Sequence, residues 1–175
     1  NNYVRADSLL IDQRSGRLTA EGNVQSTLFT TRSPVGGATT PVNASAGTLV
    51  YERDARVVRL RTNVDVRQGT ERMTAGTADI LLDENFEVVK TVAQTNVVVT
   101  QPGRRATGSS VEFTAADDVA IIRGEPATVT DAQNGSAQGA QMTFNRKDQR
   151  FEVAGRVGTG RSGTRTRTVY KVKPQ

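Results

Sequence analysis

The chain has 175 residues with no Cys, His or Trp, and 23 basic against 18 acidic residues. That length allows one sizeable domain or two small ones. The missing Cys and His exclude disulfides, the usual zinc sites, His-based acid–base catalysis and any Cys- or His-dependent nucleophile triad. The net charge of +5 is a property of the end of the chain. Residues 1–155 hold 17 basic and 18 acidic residues, whereas 156–175 carry Arg156, Arg161, Arg165, Arg167, Lys171 and Lys173 with no acid. No basic face with interleaved aromatics is left for nucleic acid.

With 22 Val and 23 Thr against 8 Leu and 4 Ile, the composition favours pleated strands over helices. Leu, Ile, Val and Phe sum to 39 residues, a thin aliphatic core. Such a core leaves room for an interior partly filled by something other than side chains. No stretch reaches the roughly 18 apolar residues of a membrane helix. The chain begins at Asn1 without a visible signal peptide, as either a trimmed chain or a mature exported protein would.

In chain order, the first unit opens with ADSLLID, turns at QRSG and returns as RLTAEGNVQSTL to Leu28. Leu9 and Ile11 share a face of its first strand; Leu18, Ala20, Val24, Ser26 and Leu28 share a face of its second. Gly16 supplies the positive φ of a tight turn. Residues 30–42, with two Pro and a Gly pair, read as an inserted surface loop. Unit two is ASAGTLVYERDARVVRLRTNVDV, unit three TAGTADILLDENFEVVKTVAQTNVVVT. Unit four starts at Thr107 and unit five at Ala137. Unit three reads as a strand with Ile80 and Leu82, an acidic turn (Asp83, Glu84, Asn85), a strand with Phe86 and Val88, and a strand with Val97 and Val99.

Aligned by hand, Ala44 and Ala75 lie 31 apart, Gly76 and Gly108 lie 32 apart, and Gly108 and Gly139 lie 31 apart. A period near 31 signals stacked units that cannot bury an apolar face alone. Two or three strands per unit give roughly ten to fifteen strands and almost no helix. The turns carry Asp12, Asp54, Asp83, Asp117-Asp118 and Asp148, whose side chains suit turns by bonding nearby backbone N–H groups. The carboxylate pairs Asp83-Glu84 and Asp117-Asp118 therefore read as turn acids rather than catalysts. No Gly-rich phosphate loop is present. The tail from Thr159 alternates over TRTRTVYKV and reads as a last edge strand with blunting charges or as a flexible end. Its arginines are a solubilising end, or a contact for an acidic headgroup or partner.

The pattern A-x-x-L-x-Y/I, a polar turn, then L-x-A-x-G-N-V, written here as ADSLLIDQRSGRLTAEGNV and AGTLVYERDARVVRLRTNV, resembles the OstA-like family of lipopolysaccharide-transport proteins. Gly124-Glu125-Pro126-Ala127-Thr128 looks like the G-K-P-A-T element of that family's periplasmic bridge proteins (LptA-like), and GSAQGAQMTFNRKDQRFEVAGRV is similar to their next repeat. The resemblance covers residues 5–158. It departs from the bridge protein in an extra repeat before Pro126 and in the Pro-Gly insertion, which leaves open the membrane-anchored LptC-like partner and the translocon's periplasmic domain.

The resemblance implies an all-β, semi-open, twisted antiparallel jellyroll of about five repeats, with residues 1–158 forming a single domain and 159–175 a basic tail. It implies a periplasmic location in a Gram-negative bacterium, no cofactor, and no catalytic or metal-binding residue. The expected partners are lipopolysaccharide, through its lipid A acyl chains, and other jellyroll domains of the transport bridge, a second copy head to tail included. The expected lipid groove is Leu49, Tyr51, Ile80, Leu82, Val97, Val99, Val111, Phe113, Val129, Met142, Phe144 and Phe151. Docking edges are expected near Tyr3 to Ile11 and near Phe151 to Val157 or the tail. A structural or adhesive β-repeat with a filled core is the alternative, and a carbohydrate-active β-solenoid the more distant one.

Overall fold

A computed structural model describes residues 2–29, 41–133, 135–147, 150–154 and 168–171. Twelve strands follow one another: β1 (Tyr3–Arg5), β2 (Ser8–Asp12), β3 (Arg17–Leu28), β4 (Val42–Glu52), β5 (Val57–Gln68), β6 (Glu71–Leu82), β7 (Val88–Gln101), β8 (Arg104–Thr114), β9 (Val119–Asp131), β10 (Gly135–Asn145), β11 (Arg150–Ala154) and β12 (Thr168–Lys171). All pairings are antiparallel, and from β3 onward each strand pairs with the next. Most of the expected inserted loop and of the basic tail, and Asp148, lie outside the described residues. Phe86 falls in the turn after β6 rather than in a strand, because β7 begins at Val88.

The ladders from β3 to β10 each break register near mid-strand, and these breaks line up into a crease; the β6–β7 ladder has a second shift near its end, between Leu81 and Leu82. The ladder register shifts between Glu21 and Val24, Ser45 and Thr48, Arg61 and Val64, Thr74 and Thr77, Gln94 and Val97, and Thr107 and Ser110. On β3, β5 and β7 the bend is a pair with positive φ: Gly22-Asn23, Thr62-Asn63 and Thr95-Asn96. Asn tolerates this region, but a β-branched Thr there is an outlier that its surroundings must enforce. The neighbouring strand supplies the room. A Cβ on Gly47 would lie 2.9 Å from the Thr62 Cβ, and one on Gly76 would lie 2.8 Å from the Thr95 Cβ. The crease therefore aligns Gly47 with Gly76, so the equivalent of Ala75 is Ala46 rather than Ala44.

At the crease two residues of β3 or β5 face one of the next strand, so β5 keeps its inward parity, with Leu60, Val64 and Val66 all buried, while β6 switches, with Met73 and Ala75 buried before Gly76 and Ala78, Ile80 and Leu82 after it. One face thus stays inward on both sides of the crease, and the sheet folds over it as a semi-open jellyroll with two arms. The turns before β6, β8 and β10 form the tip of one arm; those before β5, β7, β9 and β11 form the tip of the other. Val24, Leu60, Val64, Met73, Val97 and Met142 are fully or nearly fully buried between them.

The outer face is polar and ion-paired, across strands by Arg59 with Glu52 and Asp79, Lys90 with Glu112 at 3.0 Å and Asp65 with Arg72 at 2.8 Å, and along β5 by Asp65 with Arg67 at 2.8 Å. These exposed pairs add little stability each. They do keep the outer face wet, so that only one face of the sheet seeks burial.

Candidate functional site: an apolar interior with two unlike halves

β1 and β2 lie end to end along the free edge of β3, β1 against Gln25–Thr27 and β2 against Arg17–Glu21. Asp7 bridges them over the crease: its N–H donates to the Gly22 carbonyl at 2.9 Å, and Asn23 Nδ2 donates to its carboxylate at 2.8 Å. Behind this edge, between the arms, is a cavity of about 470 Å³. That lies within the roughly 300–1,000 Å³ of ligand-binding clefts. Leu9 and Ile11 of β2, Leu18 and Leu28 of β3, Leu49 and Tyr51 of β4, Val58 and Leu60 of β5, and Ile80 and Leu82 of β6 form its walls. Among the described residues, no charged side chain lines it.

Phe86 sits at the mouth. It is 53 % exposed, lies 6.4 Å from the Tyr51 ring, and has φ +62, a left-handed conformation that a bulky residue seldom takes. Asp83 imposes it. Its Oδ1 accepts the N–H groups of Asn85 and Glu87, both at 2.9 Å, while the Phe86 N–H donates to the Asp83 carbonyl at 3.2 Å. The acidic turn is thus a local brace that holds an aromatic ring at the opening. It uses no acid–base chemistry to do so.

The C-terminal half is filled. Met73, Val99, Phe113, Ile122, Phe144 and Phe151 leave a cavity of only about 50 Å³. Polar groups from the two arm tips meet above it. Glu71 opens β6 on one tip; Arg146 follows β10 on the other, and their side chains are 3.8 Å apart. Arg146 also reaches Asp118, of the turn before β9, at 3.9 Å. Arg104 stacks 4.7 Å above the Phe144 ring and bonds Asp131 at 3.0 Å. Burial pushes the Glu71 carboxyl up to about 7, against the opposing pull of Arg146 and of a hydrogen bond from Gln101, with Asp118 adding repulsion. Glu71 and Asp118 are both engaged by Arg146, which stands between them.

Of the expected groove residues, Leu49, Tyr51, Ile80 and Leu82 line the large cavity, and Val99, Val111, Phe113, Val129, Phe144 and Phe151 line the small one. Val97 and Met142 are buried in the core and border neither. Sequence reasoning placed Leu9 and Ile11 on one face of the first strand but not in the groove. It missed Phe86, whose left-handed turn breaks the alternation. It also missed Glu71, Arg104 and Arg146, polar residues beside hairpin turns whose meeting depends on the fold. Among the described residues, no group of three potential ligands is placed to hold a metal.

A family model described as LptA/(LptD N-terminal domain) LPS transport protein matches residues 43–150. Comparison with curated proteins gives no match. Among solved structures, the chain is similar to LptH of Pseudomonas aeruginosa, described as the LptA-homologous periplasmic component of the conserved lipopolysaccharide transport device. The two share 14 % identity over 99 % of this chain and 96 % of that one, with a TM-score of 0.35.

Proposed function

The chain belongs to the LptA/LptD N-terminal domain family of lipopolysaccharide-transport proteins, and from that premise we propose that it is a periplasmic bridge component holding lipid A acyl chains between its arms. The observation that carries this reading is the cavity of about 470 Å³, walled mainly by aliphatic side chains, with no charged side chain among the described residues lining it. A structural repeat with a filled core would look throughout like the C-terminal half. The open N-terminal half is what an acyl-chain carrier needs. Each methylene moved there from water is worth about 0.8 kcal/mol.

In this reading the groove consists of Leu49, Tyr51, Ile80 and Leu82, joined by Leu9, Ile11, Leu18, Leu60 and Phe86. Val99, Val111, Phe113, Val129, Phe144 and Phe151 continue it, with Val97 and Met142 as its floor. Residues 1–158 act as one domain and 159–175 as a basic tail. The outer edges of β1–β2 and of β12 accept neighbouring jellyroll domains by strand addition, a second copy head to tail included. Transport needs no chemistry in the domain itself.

Photo-crosslinking in cells tests the groove. A benzophenone amino acid replacing Tyr51, which lines the cavity, is expected to capture lipopolysaccharide. The same probe replacing Val50, its neighbour on the opposite face of β4, is the control. Equal capture at both positions, or none at Tyr51, overturns the proposal.

A further inference from the structure

In the C-terminal half of the slit the two arms touch through charge: Glu71 meets Arg146, and Arg104 lies over the Phe144 ring. We propose that Glu71 and Arg146 form a latch across this slit, which seals the filled half of the groove and opens to let an acyl chain advance from the large cavity toward the far edge of the sheet. This deepens the groove reading and rests on it for what passes. The motion itself belongs to the protein alone.

The latch is built to be weak. Glu71 is joined to its own arm by Gln101, whose Nε2 donates to Oε1 at 3.0 Å, while Oε2 has no hydrogen-bond partner among the described residues. Its link to the other arm is a 3.8 Å contact to an Arg146 guanidinium that Asp118 also engages at 3.9 Å. The side chains of Glu71 and Arg146 are only 14 % and 19 % exposed. At 3.8 Å the Glu71–Arg146 contact is not the short, bidentate geometry of a strong ion pair. Arg104, over Phe144 and held by Asp131, is the second stitch across the slit. Beneath both lies the cavity of about 50 Å³, too small for a lipid chain unless the arms part.

The groups facing Glu71 are Arg146 from the turn after β10, Asp118 from the turn before β9, and Gln101 from the end of β7; Arg104 of β8 and its partner Asp131 of β9 flank them. Burial outweighs the attraction of Arg146, so the closed latch holds the carboxyl near 7. Parting the arms returns Glu71 to water and toward its ordinary value of 4.5. The closed form therefore binds more protons between these two values. Raising the pH through this window favours opening, and acid favours closure.

The absence of native cysteine allows clean labelling. Glu84 on one arm tip and Gln133 on the other are both exposed, and the pair Glu84→Cys, Gln133→Cys carries spin labels whose separation is read by pulsed electron resonance on the lipid-free chain. A longer-distance population is expected to grow from pH 5.5 to pH 8.5. Glu71→Gln, which keeps the shape but cannot ionise, is expected to hold the short distance at both pH values. Asp118→Asn, which removes the repelling carboxylate, is expected to move the transition to lower pH. Circular dichroism checks that each variant is folded, and either variant alone suffices. A distance that does not change with pH, or a transition left untouched by the variants, overturns the latch. Because no lipid is present, this result stands or falls apart from the crosslinking at Tyr51.

Discussion

At the scale of single residues, the crease is where sequence and fold are most tightly joined. Thr62 and Thr95 hold left-handed conformations that a β-branched side chain resists, and Gly47 and Gly76 lie opposite with no Cβ to obstruct them. Gly76→Ala would place a methyl 2.8 Å from the Thr95 Cβ, and a loss of about 1–3 kcal/mol is expected from such overpacking. Gly108→Ala would set its methyl 2.5 Å from the Arg123 carbonyl oxygen, a backbone atom that cannot rotate away. It should cost at least as much. Urea unfolding midpoints of the two variants check both, and an unchanged midpoint for Gly108→Ala would show that the crease is looser than drawn. Asp83 is the second residue of this kind. Its side chain fixes one turn, and that turn fixes the ring of Phe86 at the mouth of the cavity.

At the scale of elements, the first edge matters most. Leu9, Leu10 and Ile11 of β2 are all exposed, but Leu9 and Ile11 point into the cavity while Leu10 points away from it. A long apolar edge with unpaired backbone groups invites another strand. Leu10→Lys is expected to lower self-association in sedimentation velocity while leaving the cavity walls intact; undiminished association would place the contact elsewhere. The strand-rich, helix-poor character and most of the turns were legible in the sequence, because Val- and Thr-rich alternation and Asp- or Gly-led turns are local signals. Gly16 does take the positive φ read for it. The residues expected in the groove were legible as an inward set, buried or packed against the core, because alternation holds within one arm. The parity switch at Gly47, Gly76 and Gly108 was not legible. Nor was the line along which the G-N and T-N pairs fall, since only pairing between strands brings them into register. Glu71 and Arg146, 75 positions apart, gave no local sign that they meet.

At the scale of the whole molecule, the two halves differ because the aromatic rings of the C-terminal half are buried, whereas Tyr3 and Phe86 of the N-terminal half stand exposed at the rim. Phe113, Phe144, Phe151 and Met142 occupy the C-terminal half, whereas the walls of the N-terminal half are mostly Leu, Ile, Val and Ala. The same creased sheet therefore encloses about 470 Å³ at one end and about 50 Å³ at the other. A chain of ten methylenes leaving water for the open half gains about 8 kcal/mol before the costs of association are met. The described walls of that cavity are mostly apolar, so on the proposed reading binding depends on the acyl chains. The most direct measurement is a titration of this chain with intact lipopolysaccharide and, separately, with the same molecule stripped of its acyl chains. Saturable binding of the intact lipid, with the deacylated form weaker by about tenfold or more, is the expected result. Equal affinity for the two forms would contradict an acyl-chain groove.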